Sequence, residues 1–245
     1  MQSRVQKIYD EYLQHLNEKK VLHRYQDRSW FHSSTAGLCA RKHYYATIEQ
    51  MEGVSVDSDT MRLFRLGDLV HTDIQDAVRW WAEANGAPIF IEKELYLEDY
   101  NVRGFIDLGF VFDDVLHDIK TCNSWKWRML FGKSGDPSPS RNYQMQLATY
   151  GLWYERTYGS LQGMSLVFYN KDNSKMKELQ VPLDFIEDAR DYWARVNLLT
   201  AEMPTGVHKI PSIELGIAPV YKWECNPKYC QYYEICGGGV KGDDE

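Results

Sequence analysis

No stretch of the 245-residue chain approaches the roughly 18–20 consecutive apolar residues that a membrane-spanning helix requires. The opening residues, Met1 to Lys7, hold no apolar run of the kind that directs export, and a cytoplasmic protein is expected. Positive charge is in short supply: 28 Lys and Arg stand against 35 Asp and Glu, a net charge of −7. That balance argues against a protein that coats nucleic acid nonspecifically, because such proteins are basic. It leaves room for an enzyme that holds DNA in a short groove, since steering depends on the local field. Basic residues gather at Arg41-Lys42-His43, at Lys126, Arg128, Lys133 and Arg141, and at Lys171, Lys175 and Lys177. Taken singly, each cluster reads as a solvated face. Cysteine is scarce and odd in number. With five of them and no export signal, ligands or free thiols are expected rather than disulfides.

What is present suits an ordinary globular chain, 44% hydrophobic and 26% charged, long enough to fill one sizeable core. No internal repeat is evident. The first ~50 residues read as helical with a break near His32-Ser33-Ser34-Thr35, where Ser34 or Thr35 would cap a helix over Ala36–Gln50. From Asp57 to Asn85, apolar residues recur at three- and four-residue steps, a long helix stopped by Gly86-Ala-Pro88. Three strand-like runs follow, Ile89–Leu97, Val102–Phe112 and Val115–Thr121. A helix over Asn142–Tyr158, a strand pair at Met164–Tyr169 and Met176–Val181, and a helix from Leu183 to about Ala201 complete the regular part. From Pro204 on the chain looks irregular. The expectation is an α/β (mixed α+β) fold with helices packed on a sheet.

The chemistry concentrates in Gly104-Phe-Ile-Asp-Leu-Gly-Phe-Val-Phe-Asp-Asp-Val-Leu-His-Asp-Ile-Lys120. With Asp113-Asp114 as a two-residue hairpin loop, Phe112 pairs with Val115, Asp107 lies opposite Lys120, and Gly109 opposite Asp118. All three charged groups then share one face, and Ile106, Leu108, Phe110 and Ile119 point to the other. Two carboxylates and an ammonium among apolar neighbours are costly unless something compensates. A magnesium or manganese ion bridging Asp107 and Asp118 would do so, since hard cations prefer oxygen ligands. Such an ion acidifies water and stabilises charge on a phosphate, and a neighbouring lysine assists. The bland reading is a cross-strand ion pair, Asp107–Lys120, with Asp118 solvated. From these residues alone the two readings stand level.

Three features tip the balance. In Gly67-Asp-Leu-Val-His71 a histidine sits on the long helix just before the strands; a lone histidine is more often structural, yet here it would complete a metal shell. Tyr143, Gln146 and Tyr150 form an i, i+3, i+7 stripe, which is equally what a half-buried helix edge shows. Cys39 and the group Cys225, Cys230 and Cys236 fit the same scheme, and four thiolates suit either a [4Fe–4S] cluster or a structural zinc. Glu94 is a candidate at the edge of the site, though a solvated strand residue is the better reading. Gly132–Ser140 reads equally as a flap or a linker. Cys122 is the odd thiol and is not counted as a ligand.

Together these residues resemble the PD-(D/E)XK nuclease superfamily, and more narrowly the RecB-type exonucleases, including the CRISPR-associated iron–sulfur exonucleases and the nuclease domain of AddB helicase–nucleases. The resemblance runs from about Ser33 to Cys236. Gly67…His71 is similar to the family's first motif, Gly104-Phe-Ile-Asp107 to its second, and Asp118-Ile-Lys120 to its third. Tyr143-Gln-Met-Gln146-Leu-Ala-Thr-Tyr150 is similar to the RecB-type signature. One departure stands out: the family spaces its last cysteines Cys-x2-Cys-x5-Cys, whereas four residues separate Cys225 from Cys230 here.

The resemblance implies a restriction-endonuclease-like core, a central mixed sheet flanked by helices, within a single nuclease domain over residues 1–245. The core would span about 57–201, with a lobe formed by about 33–50 and 204–239 whose cysteines join the two ends of the chain. His71, Asp107, Asp118 and the Ile119 carbonyl would hold magnesium or manganese. Lys120 would orient or activate water, Gln146 would steady Lys120, and Tyr150 would contact the DNA backbone. Cys39, Cys225, Cys230 and Cys236 would hold a [4Fe–4S] cluster in preference to zinc. The implied activity is exonucleolytic hydrolysis of single-stranded DNA, 5′→3′ by family precedent, with partner proteins of recombination or CRISPR adaptation. Two rivals belong to other classes: a noncatalytic DNA-end-binding or adaptor subunit of a recombination or repair complex, and a zinc-stapled structural protein.

Overall fold

A computed structural model of the chain describes residues 3–25, 29–48, 50, 57–133, 135–202, 224–227 and 230–236. Helix α1 (Arg4–Tyr25) leads to a two-residue strand, β1 (Phe31–His32), a short helix, α2 (Ala40–His43), and a wide turn at Tyr44–Ile48. Then come α3 (Ser58–Asn85), β2 (Ile89–Leu97), β3 (Val102–Phe110), β4 (Val115–Cys122), α4 (Ser124–Phe131), α5 (Arg141–Tyr158), β5 (Gly163–Asn170), β6 (Met176–Gln180), α6 (Phe185–Glu202) and α7 (Tyr233–Cys236). The mixed α/β architecture expected from the sequence is the one that forms: a mixed six-stranded sheet flanked by helices. Most of the tail from Pro204, for which irregular structure is expected, and with it most of the 204–239 part of the expected lobe, lies outside the described residues. Among the described residues no helix is long and apolar enough to cross a membrane.

Local chemistry sets several boundaries. Asp57 caps α3 by accepting from the Thr60 amide at 2.8 Å, and Gly86 ends it in the left-handed region at φ +59°. The helix expected over Ala36–Gln50 is shorter than its pattern suggests. Gly37, at φ +73°, breaks it, Thr35 turns its hydroxyl back onto the His32 carbonyl, and α2 begins only at Ala40. Neither Ser34 nor Thr35 caps it; Cys39 holds the N-cap position without a side-chain bond.

The β3–β4 turn corrects the expected register. Phe110, not Phe112, pairs with Val115, and residues 111–114 form a four-residue loop. A two-residue loop of the favoured type needs positive φ at both positions, and of the two aspartates only Asp114 has it. Tyr154 of α5 fixes that residue by donating to Asp114 Oδ1 at 2.7 Å. The register thus moves by two residues, which preserves the faces of β4 where a one-residue slip would reverse them.

Strand β3 organises the sheet. One edge pairs along its length with β2. The other is divided: β1 joins in parallel at Val102 and Arg103, and β4 joins antiparallel at Leu108 to Phe110. Strands β5 and β6 continue outward from β4, β5 in parallel with it. A parallel neighbour demands a crossover, and α4 and α5 provide it. Helices α5 and α6 pack on one face through Leu116, Leu147, Leu152, Leu166, Phe168 and Trp193, all fully buried. Each such side chain contributes about 1.5–3 kcal/mol. Trp193 also donates its indole N–H to Thr149 at 2.8 Å, so its one polar atom is satisfied. Helix α3 lies against the opposite face, where Trp81 meets Phe110 edge to face.

Candidate active site

The divided edge of β3 creates the cleft. Between its contacts with β1 and β4, residues 104–107 lie next to no strand on that side. The opposite ladder breaks at the same height, because the Glu92–Asp107 position is absent from the β2–β3 register and Glu92 has φ +50°. The side-chain alternation changes phase there. Phe90 packs on Trp153 and Tyr154 of α5, and Leu95 joins the same core with Leu147. An unbroken strand would send those two residues, five apart, to opposite faces. Gly104 lies where a Cβ would stand 2.2 Å from Ser33 Oγ and 3.1 Å from the Tyr150 ring, so only glycine fits. Asp107 thus sits at the phase change, facing the cleft where β4 departs.

There Asp107 Oδ2 accepts the Ile119 amide N–H at 2.7 Å and lies 3.5 Å from His71 Nδ1 of α3. Asp118 is fully buried, with Lys120 Nζ 2.5 Å from its Oδ2. That contact is an ion pair off the hydrogen-bonding axis; among the described residues neither Asp118 oxygen has a well-formed hydrogen bond. Burial pushes the Asp118 carboxyl up to about 7 against the pull of Lys120, and the Asp107 charge adds to the rise. Burial likewise raises Asp107 to about 6, with Lys120 and the Ile119 amide opposing. Burial also works against the Lys120 ammonium, yet the two carboxylates outweigh it and hold it above the usual lysine range. His71 is lowered by burial and then by Lys120. The site therefore sets two buried carboxyl groups against one ammonium, an imbalance in acidic groups, and among the described residues Asp118 Oδ1 has no partner. An oxygen-seeking dication would relieve that imbalance, and these donors fit it.

The structure brings His71, Asp107, Asp118, Ile119 and Lys120 together as the sequence motifs implied, by a different register: Asp107 meets Ile119 and not Lys120 across the ladder. The hydrogen bond that Gln146 makes goes to the Tyr150 hydroxyl at 2.6 Å rather than to Lys120. Tyr150 also receives Ser33 Oγ at 3.5 Å. It is only 2% exposed, which leaves it no surface for the DNA contact expected of it. Burial, with the Asp118 and Asp107 charges behind it, raises its hydroxyl well above the ordinary range, so it stays neutral. Tyr143 lies beneath two ammoniums, Lys120 at 5.1 Å and Lys126 at 4.1 Å from the ring centroid.

Sequence reading named Glu94 and missed Glu92. Glu94 is engaged away from the metal candidates, by Arg103 at 2.5–2.6 Å and by the Tyr96 hydroxyl at 2.8 Å. Glu92 accepts from Gln75 of α3 at 2.6 Å, and its charge acts on both Asp107 and His71. The two glutamates share a parity, so alternation cannot separate them; only the phase change does. The Gly132–Ser140 stretch is tied down at its end, where Gln144 donates to Pro137 O at 3.1 Å and to Ser140 Oγ at 2.9 Å.

A second feature lies around α2. Cys39, Cys225, Cys230 and Cys236 all line one cavity, together with Arg41 and Glu224. None of the five cysteines is in a disulfide, and Cys122 is buried elsewhere, at the end of β4. Glu224 Oε1 accepts the Cys39 amide at 2.8 Å and pairs with Lys42 Nζ at 2.9 Å. Burial pushes the Cys39 thiol up to about 12 and raises Cys225 and Cys230, so without a cation these groups stay protonated. Four thiols converging on one cavity fit a thiophilic metal centre. Among the described residues no three His, Cys, Asp or Glu side chains are gathered as a ready-made metal shell, so side chains at both sites would have to draw in.

No family model matches the chain, and no curated protein matches it in sequence. Among solved structures, the one titled "Crystal structure of SSO0001" superposes with a TM-score of 0.55 at 19% identity, covering 94% of this chain and 97% of that one. An alkaline exonuclease, LHK-Exo, from Laribacter hongkongensis gives a TM-score of 0.45 at 14% identity over 71% of this chain and 88% of that one. The first likeness establishes a shared fold; the second is too loose to argue from.

Proposed function

We propose that the chain is a metal-dependent nuclease that hydrolyses DNA phosphodiester bonds, with the cleft beside β3 and β4 as its active site. The observation that carries this reading is Asp118: a fully buried carboxylate with no well-formed hydrogen bond, beside Asp107, His71 and Lys120. His71, Asp107, Asp118 and the Ile119 carbonyl are the groups that would hold magnesium or manganese. A bound dication of this kind makes water acidic enough to attack and draws charge from the phosphate. The chain's own contributions are separable. Ile119 N–H fixes the Asp107 carboxylate, and Lys120, held as an ammonium by two carboxylates, stabilises negative charge on the phosphate oxygens. Gln146 and Ser33 lock Tyr150 behind Asp118, which makes Gln146 and Tyr150 positioning residues. Lys126, over the same ring as Lys120, supports a phosphate path leading towards α4.

Single-stranded DNA ends as substrate, 5′→3′ polarity, a cytoplasmic setting and partners from recombination or CRISPR adaptation extend this proposal and rest on the motif resemblance. So does a [4Fe–4S] cluster, in preference to zinc, held by Cys39, Cys225, Cys230 and Cys236 to clamp α2 to the 224–236 segment. The deciding experiment is digestion of 5′- and 3′-labelled single strands with manganese or magnesium, alongside Asp118→Ala and Lys120→Ala. Cleavage that vanishes in both variants, with circular dichroism unchanged, supports the enzyme. Cleavage that survives in both removes the assignment. DNA-end binding without cleavage by the wild type would favour the adaptor instead.

A further inference from the structure

The buried guanidinium of Arg41 is the feature of the molecule with no use yet. Arg41 is 2% exposed, on α2 between Cys39 and His43. Its Nη1 donates to Cys236 Sγ at 3.1 Å; among the described residues Nε and Nη2 have no partner. The one carboxylate lining the same cavity does not answer it: Glu224 pairs with Lys42 at 2.9 Å and accepts the Cys39 amide through Oε1, and its Oε2 is bonded to no group among the described residues, Arg41 included. A buried cation with two idle donors is costly to keep, and its side chain lines the cavity of the four thiols.

We infer that Arg41 is the built-in counter-charge of a metal–thiolate centre, its idle N–H groups held beside a cavity whose sulfur atoms become anionic only when the metal is bound. The inference rests on reading the cysteine cavity as a metal site, and it holds for either candidate. Four thiolates outweigh the dipositive core of a [4Fe–4S] cluster or of zinc alike, leaving a net negative centre for the guanidinium to face. Donors to metal-bound sulfur hold the ligands in place and ease their negative charge. Lysine could supply the charge but not the planar fork, and methionine supplies neither.

The test uses the full chain purified anaerobically as wild type, Arg41→Lys and Arg41→Met. Metal loss is timed against a chelator by the iron or zinc released, and the melting temperature of each metal-free protein is measured separately. Arg41→Met should lose metal about 10- to 100-fold faster than wild type, with Arg41→Lys between them. The metal-free Arg41→Met chain should melt no lower than wild type, since it is relieved of an unpaired buried charge. Equal metal retention in all three proteins overturns the inference while leaving the metal site standing, as does a metal-free Arg41→Met chain that melts well below wild type. If Arg41→Met does not fold, metal loss from Arg41→Lys at the wild-type rate overturns it. A wild-type chain that carries no thiol-bound metal, and takes none from ferrous iron with sulfide or from zinc, removes the metal site and this role with it.

Discussion

The cleft beside β3 and the cavity around α2 both gather acidic side chains able to ligate a metal, carboxyls in one and thiols in the other, yet they are held in different ways. In the cleft, Asp107, Asp118, Lys120 and His71 come from two strands of the sheet and one long helix, all close in sequence. The sheet and α3 bring them near one another, so that an ion would need them only to draw in, and Lys120 offsets part of the charge. Around α2 the walls come from groups 185 residues apart, brought together by a few contacts such as Cys39 N–H to Glu224. There a metal would act as the fastener itself. The contrast separates a site whose groups lie on neighbouring elements of the sheet and would need only to close on an ion from one in which an ion would complete the scaffold.

The contrast breaks most visibly on the catalytic side. Asp118→Ala should lower cleavage by about a thousandfold or more, measured as single-turnover rates, with little change in the far-ultraviolet spectrum. Asp118→Asn should do the same while raising the melting temperature of the metal-free protein, by about 2–4 °C for each kcal/mol recovered. The sign follows from a carboxyl whose folded value is raised to about 7: its charged form is disfavoured in the fold, and at neutral pH that cost disappears with the charge. An Asp118→Asn protein less stable than wild type would mean that the carboxylate is compensated without an ion.

On the other side, Cys39→Ser should destabilise the metal-loaded protein by about 5 kcal/mol, the scale of a cross-link closing a loop of this length. Urea unfolding of loaded and stripped wild type should differ by a similar amount, whereas stripping magnesium should change little. A pH titration sharpens the comparison, because His43 lies on α2 between the two regions. Burial lowers it to about 3, against about 6.5 in the unfolded chain. The unfolded chain therefore takes up a proton first, and stability should fall by about 1.4 kcal/mol per unit as pH drops from ~6.5 towards ~3. Other groups titrate in that range, so the check is a His43→Gln variant, whose stability profile should be flatter by that amount. The smallest effect concerns ion uptake in the cleft. With Asp107 and Asp118 raised to about 6 and 7, manganese affinity should weaken as pH drops below 7, and calorimetry in buffers of different ionisation heat should register proton release.

How much of this the sequence disclosed depends on how local each signal is. Helix α3 is legible because its cap, periodicity and terminating Gly86 lie within one segment, and strands β2 to β4 because alternation and turn residues bracket them. Strand β1 is too short for any period to register. The length of the β3–β4 loop is decided by Tyr154, forty residues further on, which no local pattern can reveal. In the cleft, the motifs point to the residues that bear the chemistry but not to their partners. Gln146 turns to Tyr150 rather than Lys120, and Glu92 enters through a break in the pleat that side-chain identity does not announce. That Arg41 Nε and Nη2 have no partner among the described residues is likewise a property of packing: in the sequence it is one basic residue among three.

The stretch 33–43 touches both regions within eleven consecutive positions. Ser33 reaches Tyr150 behind the cleft, Thr35 and His43 bond to each other at 3.3 Å, and Cys39 and Arg41 face the thiol cavity. Anyone trimming the chain towards a minimal catalytic fragment would find no seam here. Cutting before residue 44 to discard Cys39 would also remove a strand from the sheet and the hydroxyl that braces Tyr150, so the two ends of the protein have to be kept or redesigned as one piece.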